Sequence, residues 1–255
     1  MSMGIIKSFA KHTLHSFGYD LKRFTPVRSE EFRLARMLEA QGVNLVFDVG
    51  ANTGQFAQSL RELGYRGRIV SFEPQSEARE QLQHVAGGDP QWEIAPQLAI
   101  GAEDGEIEFH VAGNSISSSA LPMLESHLRL GPDSKYVRTE SVPLRRLDTI
   151  GLSYLQPDSN VFLKADVQGY ERQVIKGAAG LLSRVAGLHL EMLFIPLYEG
   201  QVKYNELICD LNALGFDLWD LRSVIVDQQT GRMLWADAVF FRSAEVKQGA
   251  RAVLR

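Results

Sequence analysis

The sequence has one cysteine among its 255 residues, no long apolar run and no excess of basic charge. Cys209 alone cannot close an intramolecular disulfide or supply a thiolate cluster, which excludes a disulfide-stabilised scaffold and a structural zinc finger. No stretch approaches the roughly 18 consecutive apolar residues of a membrane-spanning helix. Lys7 and Lys11 interrupt the apolar core that a secretory signal needs. We therefore expect a folded protein of the cytoplasm.

The charge of the chain is low overall but uneven along its length. The formal net charge is −4, so the chain has no excess of basic side chains to bind the phosphates of nucleic acid. No nucleic-acid partner is therefore expected. The first 36 residues hold seven basic and three acidic side chains, a net charge of +4, which leaves −8 for the remainder. The chain therefore begins with a basic arm on an acidic body.

The basic arm contains an amphipathic pattern. Its apolar residues recur at spacings of three and four and predict a helix that ends near Gly18, namely Ile6, Phe9, Ala10, Thr13, Leu14 and Phe17. One interpretation is a helix on an anionic membrane surface, at the inner face of the membrane, or over a lipid-linked substrate. The other is a helix packed on the domain as a brace. A second helix is predicted from Ser29, whose hydroxyl can cap it, to Gly42.

Beyond residue 43, short apolar runs alternate with helical patterns. The predicted strands are 43–49, 68–72, 92–100, 161–165 and 187–192, and the predicted helices are 55–63, 77–85, 171–182 and 204–214. Strands that alternate with helices are typical of a parallel sheet with right-handed crossovers and helices on both faces. The pattern predicts a three-layer α/β fold.

Two parts of the chain depart from this alternation of strands and helices. Residues 101–158 contain strand-like runs at 106–111 and 140–144 and a Ser-rich loop at 114–119, so we interpret them as an insertion of edge strands and loops. Runs at 216–226 and 233–242 predict a closing antiparallel hairpin. The predicted organisation is a helical arm at 1–42, a ligand-binding domain at 43–242 and a tail at 243–255.

A glycine-rich loop joins the first strand to its helix, with the sequence Asp48-Val-Gly50-Ala-Asn52-Thr-Gly54. Glycines let a backbone approach a ligand closely, and a helix N-terminus offers unpaired N–H groups. Glu73 ends the second strand 19 residues after Gly54, where a carboxylate can accept hydrogen bonds from both hydroxyls of a ribose. Together the loop and the acid predict a ligand that contains adenosine.

The residues beside the glycines distinguish two such ligands. The pyrophosphate of a dinucleotide favours positive potential and a G-x-G-x-x-G loop, whereas Asp48 brings a negative charge and the glycines are spaced G-x-x-x-G. S-adenosylmethionine carries an ammonium and a sulfonium, which are both cationic. Asp48 therefore favours S-adenosylmethionine as the cofactor.

Four segments of the chain together form a specific pattern. They are 47–55 (FDVGANTGQ), 71–74 (SFEP), 99–101 (AIG) with Gly105, and 163–171 (LKADVQGYE). With these segments the sequence resembles the FkbM family of S-adenosylmethionine-dependent methyltransferases over about residues 43–242. The resemblance implies a seven-stranded, Rossmann-like class I methyltransferase sheet and O-methylation, typically of a sugar or glycolipid hydroxyl. It also implies a cofactor site made by Asp48, Gly50, Asn52, Gly54, Glu73 and Ala99.

Two further acids are expected at the same edge of the sheet. Asp166 ends the fourth parallel strand and Glu191 ends the fifth, and His189 shares a strand face with Glu191. Methyl transfer to an alcohol requires a group that takes the hydroxyl proton, so Asp166 is the candidate base and Glu191 and His189 are further candidate catalytic residues. Alternatively, Asp166 and Glu191 hold Mg²⁺ or another hard cation. In the structural alternatives, Asp166 caps a helix, Glu191 supports a neighbour and His189 is an interior histidine.

Two loops are candidates for selecting the acceptor. Tyr198 follows the fifth strand and can stack on a sugar ring or close the pocket, and the serines of 114–119 can bond to hydroxyls. The predicted function is O-methylation of a sugar hydroxyl on a glycolipid, polysaccharide or glycosylated natural product. Alternatives are methylation of nitrogen or oxygen on a small molecule or protein, and a regulatory protein that binds S-adenosylmethionine without turnover.

Overall fold

A seven-stranded sheet lies at the centre of the computed structural model, which describes residues 13–14, 16–19, 25 and 29–243. A smaller sheet of three strands lies beside it. In chain order the strands are β1 (Leu45–Val49), β2 (Arg68–Phe72), β3 (Trp92–Ile94), β4 (Ala99–Ile100), β5 (Gly105–Ala112), β6 (Tyr136–Arg145), β7 (Val161–Ala165), β8 (Val185–Leu193), β9 (Phe216–Val226) and β10 (Met233–Arg242).

The order of strands in the large sheet is β3-β2-β1-β7-β8-β10-β9. Each neighbouring pair from β3 to β8 is parallel, and β10 runs antiparallel to both β8 and β9. This arrangement confirms the predicted mostly parallel α/β fold with a C-terminal antiparallel hairpin, the Rossmann-like class I methyltransferase sheet. Because the parallel strands point the same way, their carboxyl ends form one edge at which a ligand site can be built.

Helices cover both faces of the large sheet. They are α1 (Glu30–Ala40), α2 (Gln55–Glu62), α3 (Ser76–Ala86), α4 (Glu125–Leu130), α5 (Leu147–Ile150), α6 (Glu171–Gly177) and α7 (Tyr204–Ala213). Along β1, Phe47 packs in one buried cluster with residues of α6 and α7, and Val46 packs in another with residues of α1, α2 and α3. Adjacent strand residues point to opposite faces, so this division confirms the three layers.

The predicted insertion at 101–158 forms its own sheet. β5 and β6 pair antiparallel and β4 joins β6 in parallel, so these strands do not extend the edge of the large sheet as expected. The single strand predicted at 92–100 is also wrong, because the chain leaves β3 after Ile94 and enters the small sheet at Ala99. Pro96 interrupts the run, since proline has no N–H to donate to a strand ladder.

Two helix predictions also need correction. The helix predicted at 171–182 ends at Gly177, where a Cβ would lie 1.8 Å from the carbonyl oxygen of Gly101 and would prevent this close packing. α1 begins after Ser29 as predicted, but the Ser29 hydroxyl makes no capping hydrogen bond.

The start and end of the chain lie mostly outside the described residues. Within the predicted helix of the arm, Thr13, Leu14 and Ser16 are helical and Gly18 follows with a φ of +80°. Ile6, Phe9, Ala10 and the tail at 244–255 are outside the described residues, so both interpretations of the arm stand. Among the residues that the structure describes, no helix is long and apolar enough to cross a bilayer.

Candidate active site

A cleft of about 660 Å³ opens at the carboxyl ends of β1, β2, β7 and β8. Sites for small molecules typically measure roughly 300–1,000 Å³. Among the described residues, its lining holds five carboxyl side chains against one lysine and one arginine, namely Glu73, Asp166, Glu191, Asp220 and Asp237 against Lys164 and Arg222. Carboxyl oxygens accept hydrogen bonds, so this lining can receive the N–H groups of an ammonium.

Glu73 is buried at one end of this cleft. Its Oε2 accepts a hydrogen bond from the backbone N–H of Asn52 at 2.7 Å, and its Oε1 accepts one from Gln75 at 2.8 Å. Burial raises the pKa of Glu73 to about 7, although the two backbone hydrogen bonds oppose this rise. A carboxylate has about four acceptor sites, so two bonds leave capacity for the hydroxyls of a ribose.

Asn52 connects the glycine-rich loop to Glu73. Its φ of +48° lies in the left-handed region, which asparagine tolerates better than most residues. Its side-chain oxygen accepts the N–H of Thr53 at 2.8 Å while its own N–H reaches Glu73. The structure therefore brings two predicted cofactor-binding residues into direct contact at the wall of the cleft.

The two predicted glycines are required by packing within the protein. Gly50 lines the cleft with a φ of +71°, and a Cβ there would lie 1.9 Å from the carbonyl oxygen of Asp166. Gly54 has a φ of +92°, and a Cβ there would lie 2.9 Å from Leu82 and 3.0 Å from Trp92. Gly54 lies behind the loop, outside the lining of the cleft, so it shapes the site without facing a ligand there.

Asp48 does not present its charge to the cleft, contrary to the expectation from the sequence. Its side chain is fully buried, and Lys164 lies opposite it on the neighbouring strand, 3.1 Å from its Oδ1. The Oδ2 of Asp48 accepts a hydrogen bond from Ser71 at 3.2 Å. The Lys164 ammonium also donates to the carbonyl of Gly50 at 2.6 Å. The ion pair of Asp48 and Lys164 therefore holds the backbone of the glycine-rich loop.

Ala99 lies away from the large cleft. It pairs with Leu144 in the small sheet and lines a separate recess of about 20 Å³. The walls of that recess also include Gly50 and Pro74, which line the large cleft. The predicted contact between Ala99 and the cofactor is therefore not formed through the cleft that contains Glu73.

Asp166 and Glu191 lie at the same edge of the sheet as predicted, but a third side chain separates them. The amide of Gln168 donates to Oδ1 of Asp166 at 3.0 Å and to Oε2 of Glu191 at 2.9 Å. The Asp166 side chain is 44% exposed, and its Oδ2 is 4.0 Å from the Lys164 ammonium. The bridge holds Oδ1 of Asp166 and makes no hydrogen bond to Oδ2.

Gln168 is the functional candidate that the sequence reasoning missed. Its φ of +55° places it in the left-handed region, in the turn between β7 and α6. The hydroxyl of Tyr198 donates to its Oε1 at 2.7 Å, and its amide nitrogen faces the carboxyl groups of Asp166 and Glu191. The residue lies within the segment 163–171 that carries the family resemblance, and that was the available signal.

Burial and neighbouring acids favour the neutral form of Glu191. Burial raises its pKa well above the ordinary value, and the charges of Asp166 and Glu171 raise it further. Glu171 is itself buried, which raises its pKa to about 7, and it accepts the backbone N–H groups of Val167 and Gly169 at 3.1 and 3.2 Å. The site therefore combines a buried acid whose neutral form is favoured with a half-exposed carboxyl at Asp166, a combination that acid–base chemistry can use.

His189 lines the cleft beside Glu191 on β8. Its Nε2 is 3.7 Å from Oδ2 of Asp237, and its ring centre is 5.3 Å from that of Phe56. Its Nδ1 is buried without a hydrogen-bond partner. His189 is thus near the candidate base but has Asp237 as its charged neighbour.

The two loops predicted to select the acceptor differ in their relation to the cleft, because Ser115, Ser117 and Ser118 line it and Tyr198 does not. Tyr198 is 1% exposed, so its ring cannot stack on a sugar in this conformation. Ser117 and Ser118 are buried and bond within the 114–119 loop, and Ser119 donates to the carbonyl of Gln168 at 2.8 Å. The Ser119 hydroxyl therefore supports the turn that carries Gln168.

The described residues contain no group of three or more His, Cys, Asp or Glu side chains placed to hold a metal ion. At the predicted pair, Gln168 places N–H donors on the inner oxygens of both carboxyls. A cation between Asp166 and Glu191 would have to displace that amide. The geometry therefore favours the proton-accepting role of Asp166 over the Mg²⁺ alternative.

The cleft fits S-adenosylmethionine. Glu73 offers buried acceptors with remaining capacity, and the carboxyl groups along the wall favour the ammonium and the sulfonium. Glu73 and the loop around Gly50 and Asn52 would hold the cofactor.

The affinity for S-adenosylmethionine is expected to rise with pH around neutrality. Ribose hydroxyls donate to the ionised form of Glu73, whose pKa is about 7, so protonation competes with binding. We expect an affinity about tenfold lower at pH 6 than at pH 8.

Glu73→Gln should weaken the binding of S-adenosylmethionine by roughly ten- to a hundred-fold and flatten its dependence on pH. Calorimetry checks both, and an unchanged affinity in the folded variant would remove Glu73 from the site.

Comparison with known protein families gives one domain match. The model described as the methyltransferase FkbM domain matches residues 48–218. A protein of Sinorhizobium fredii (strain NBRC 101917 / NGR234) named 2-O-methyltransferase NoeI is 26% identical over 173 residues. That match covers 64% of this chain and 69% of the relative.

Similar solved structures include two methyltransferases. The methyltransferase FkbM of Methylobacillus flagellatus KT has 15% identity and a TM-score of 0.48, with 78% of this chain and 43% of that chain covered. The magnesium protoporphyrin IX methyltransferase of Synechocystis PCC 6803, solved with bound S-adenosylmethionine, has 14% identity and a TM-score of 0.44, with coverages of 93% and 97%. This chain thus matches less than half of the first structure's length.

Proposed function

Since this chain belongs to the FkbM family of methyltransferases, we propose that it transfers the methyl group of S-adenosylmethionine to the oxygen of a sugar hydroxyl. The acceptor is part of a glycolipid, polysaccharide or glycosylated natural product. One observation carries the proposal: Glu73 and the Gln168-held Asp166 line the same cleft. A ribose-binding acid and a proton-accepting acid at one edge are what O-methyl transfer requires.

S-adenosylmethionine, when bound, supplies a methyl group on a positively charged sulfur. The residues of this chain then have three tasks. Glu73 and the loop at Gly50 and Asn52 bind the cofactor, and the carboxyl groups of the cleft favour its positive charge. Asp166 accepts the proton of the acceptor hydroxyl at its free oxygen. Gln168 orients Asp166 so that the accepting oxygen faces the cleft.

The proposal of an oxygen acceptor has two supports. The relative from Sinorhizobium fredii is named a 2-O-methyltransferase. In addition, the exposed Asp166 beside a neutral Glu191 suits the removal of a proton from a hydroxyl, which is a weak acid and needs a base close at hand.

The experiment that tests the function is an acceptor screen. The full chain is incubated with radiolabelled S-adenosylmethionine and a panel of methyl glycosides, small-molecule alcohols and amines, and unmodified protein, with and without EDTA. The proposal expects label on glycosides, with equal yield in EDTA. Label on amines or protein would identify the other acceptor class, and loss of yield in EDTA would restore the metal alternative. Binding of the cofactor without label on any acceptor would indicate a regulatory protein.

A further inference from the structure

Exposed apolar side chains surround the mouth of the cleft. Four large apolar residues both line the cleft and face solvent, namely Ile116 at 59% exposure, Leu130 at 42%, Val224 at 40% and Ile225 at 38%. A side chain that lines a cleft and is also exposed lies at its opening. These four residues, which we call the apolar rim, come from three parts of the chain: the 114–119 loop, α4 and β9.

Contacts within the protein join the rim residues of β9 to that of α4. Ile225 lies opposite Trp235 where β9 pairs with β10. The ring centre of Trp235 is 6.4 Å from that of His127. His127 lies three residues before Leu130 on α4, and side chains at this spacing are neighbours on one face of a helix. The two aromatic rings therefore connect Ile225 with Leu130.

Hydrogen bonds join the segment after α4 to the 114–119 loop. The hydroxyls of Ser117 and Ser134 are 3.1 Å apart, and the amide of Asn114 also donates to the Ser134 hydroxyl at 3.1 Å. Ser134 lies in the 3₁₀ turn that follows α4, and Ile116 is the chain neighbour of Ser117. The apolar rim is therefore one border, formed where three parts of the chain meet. Contiguous exposed apolar surface marks a site of interaction with a protein or a membrane.

The basic arm joins the fold at the same opening. Residues 1–28 hold five basic side chains and one acidic side chain, a net charge of +4. In the helix that follows, α1, the Arg33 guanidinium lies 2.8 Å from Asp220 of β9. Asp220 and Leu34 both line the cleft. The positive charge of the arm is therefore attached to the protein beside the apolar rim.

An apolar rim beside a basic segment suits the surface of an anionic bilayer. Apolar side chains gain free energy when they leave water for the boundary between head groups and acyl chains, and basic side chains are attracted to anionic head groups. The arm also exposes the aromatic rings of Phe17 and Tyr19. A second copy of the chain on the rim would bring two basic arms together, and like charges oppose that arrangement.

We propose that the apolar rim and the basic arm dock this protein on an anionic bilayer, with the mouth of the cleft facing the lipid head groups. A sugar linked to a membrane lipid then enters the cleft from the bilayer surface and reaches Asp166. The choice of a lipid-linked sugar among the acceptors rests on the proposed function. The docking itself does not depend on turnover.

Vesicle sedimentation tests the docking without any methyl transfer. The full chain is centrifuged with vesicles of phosphatidylcholine alone and with vesicles that also contain phosphatidylglycerol. We expect sedimentation with the second composition, and less of it as the salt concentration rises. The double variant Ile116→Ser, Leu130→Ser should bind these vesicles about tenfold more weakly, because serine gains little by leaving water. Thermal unfolding shows that the variant is folded.

The matched control is the double variant Leu152→Ser, Leu214→Ser. These leucines have exposures of 59% and 41%, nearly those of Ile116 and Leu130, but neither lines the cleft. Leu152 lies in the 3₁₀ turn Gly151–Tyr154, whose last carbonyl accepts a hydrogen bond from the first residue of β2, and Leu214 lies just before β9. Both are at the amino ends of these strands, opposite the cleft. The control should sediment like the unmutated chain.

The possible results separate the docking from the reaction. Equal sedimentation of the rim variant and the unmutated chain would overturn the role of the rim, as would an equal loss in the control. No sedimentation of the unmutated chain, or its self-association through the rim instead, would overturn the docking. Methylation of soluble glycosides by a chain that does not sediment would preserve the proposed function alone. Sedimentation through the rim without label on any acceptor would support the docking and overturn the proposed function.

Discussion

Replacing Asp166 with asparagine is expected to lower turnover by roughly 10²–10⁴-fold and to leave the affinity for S-adenosylmethionine within about twofold. Asparagine keeps the shape and an oxygen that can accept from Gln168, but it cannot take a proton. The cofactor is assigned to Glu73 and the glycine-rich loop, so binding and turnover should separate. Steady-state label transfer gives the first quantity and calorimetry gives the second.

Asp217→Asn is the matched control, because it makes the same chemical change at an exposed position outside the cleft. It should behave like the unmutated chain in both measurements. Near-native turnover in Asp166→Asn would show that Asp166 is not the base and would transfer that role to Glu191 or His189. A parallel loss of cofactor affinity would instead place Asp166 in the binding of the cofactor.

Gly50→Ala should remove most or all of the stability of the fold. A Cβ at this position would lie 1.9 Å from the backbone oxygen of Asp166, and neither β1 nor β7 can move without disturbing the centre of the sheet. The φ of +71° adds conformational strain for alanine. We expect a loss of at least about 4 kcal/mol in the free energy of unfolding, out of the roughly 5–15 kcal/mol that is typical of a domain. Urea denaturation measures it, and insoluble expression is the extreme outcome.

Gly64→Ala separates the steric clash from the strain. Gly64 has a φ of +93°, but a Cβ there would meet nothing within 4 Å. This control should lose only about 1–2 kcal/mol, the cost of a left-handed conformation for alanine. Equal losses in the two variants would mean that the contact between Gly50 and Asp166 contributes nothing.

The sequence was most informative where the hydrophobic pattern and turn residues agreed. β2, β7 and both strands of the closing hairpin occupy the predicted residues, because each is an apolar run bounded by turn signals. The run at 92–100 failed because its apolar pattern continues through Pro96 into a second sheet. An apolar pattern in the sequence predicts that residues are buried, but it does not predict to which sheet they belong.

Parts of the site followed from strand order alone. Glu73 and Asp166 directly follow parallel strands and Glu191 lies near the end of another. Because the carboxyl ends of such strands share one edge, their common cleft was predictable. The partner of the Asp48 side chain could not be predicted in this way. Lys164 is far away in the chain and meets Asp48 only because β1 and β7 pair in the register that places them opposite each other. That single pairing buries the Asp48 side chain against Lys164 and not at the wall of the cleft.

The bridge that Gln168 forms between Asp166 and Glu191 depends on a side-chain geometry that the spacing of residues in the sequence does not predict. The amide reaches two carboxyl groups because its backbone is left-handed and because Tyr198, from the loop after β8, bonds to its oxygen. A sequence pattern can place Asp166 and Glu191 at one edge. It cannot show which side chain from an intervening turn enters the space between them.

The bond between Tyr198 and Gln168 limits how this protein can be redesigned. An engineer who wants a new acceptor would exchange the loop after β8, because it lies next to the carboxyl edge of the sheet. That exchange would also remove the hydroxyl that orients the Gln168 amide, and the amide holds Asp166. A grafted loop must therefore retain a tyrosine at position 198 if Gln168 is to keep its hydrogen bond to Asp166.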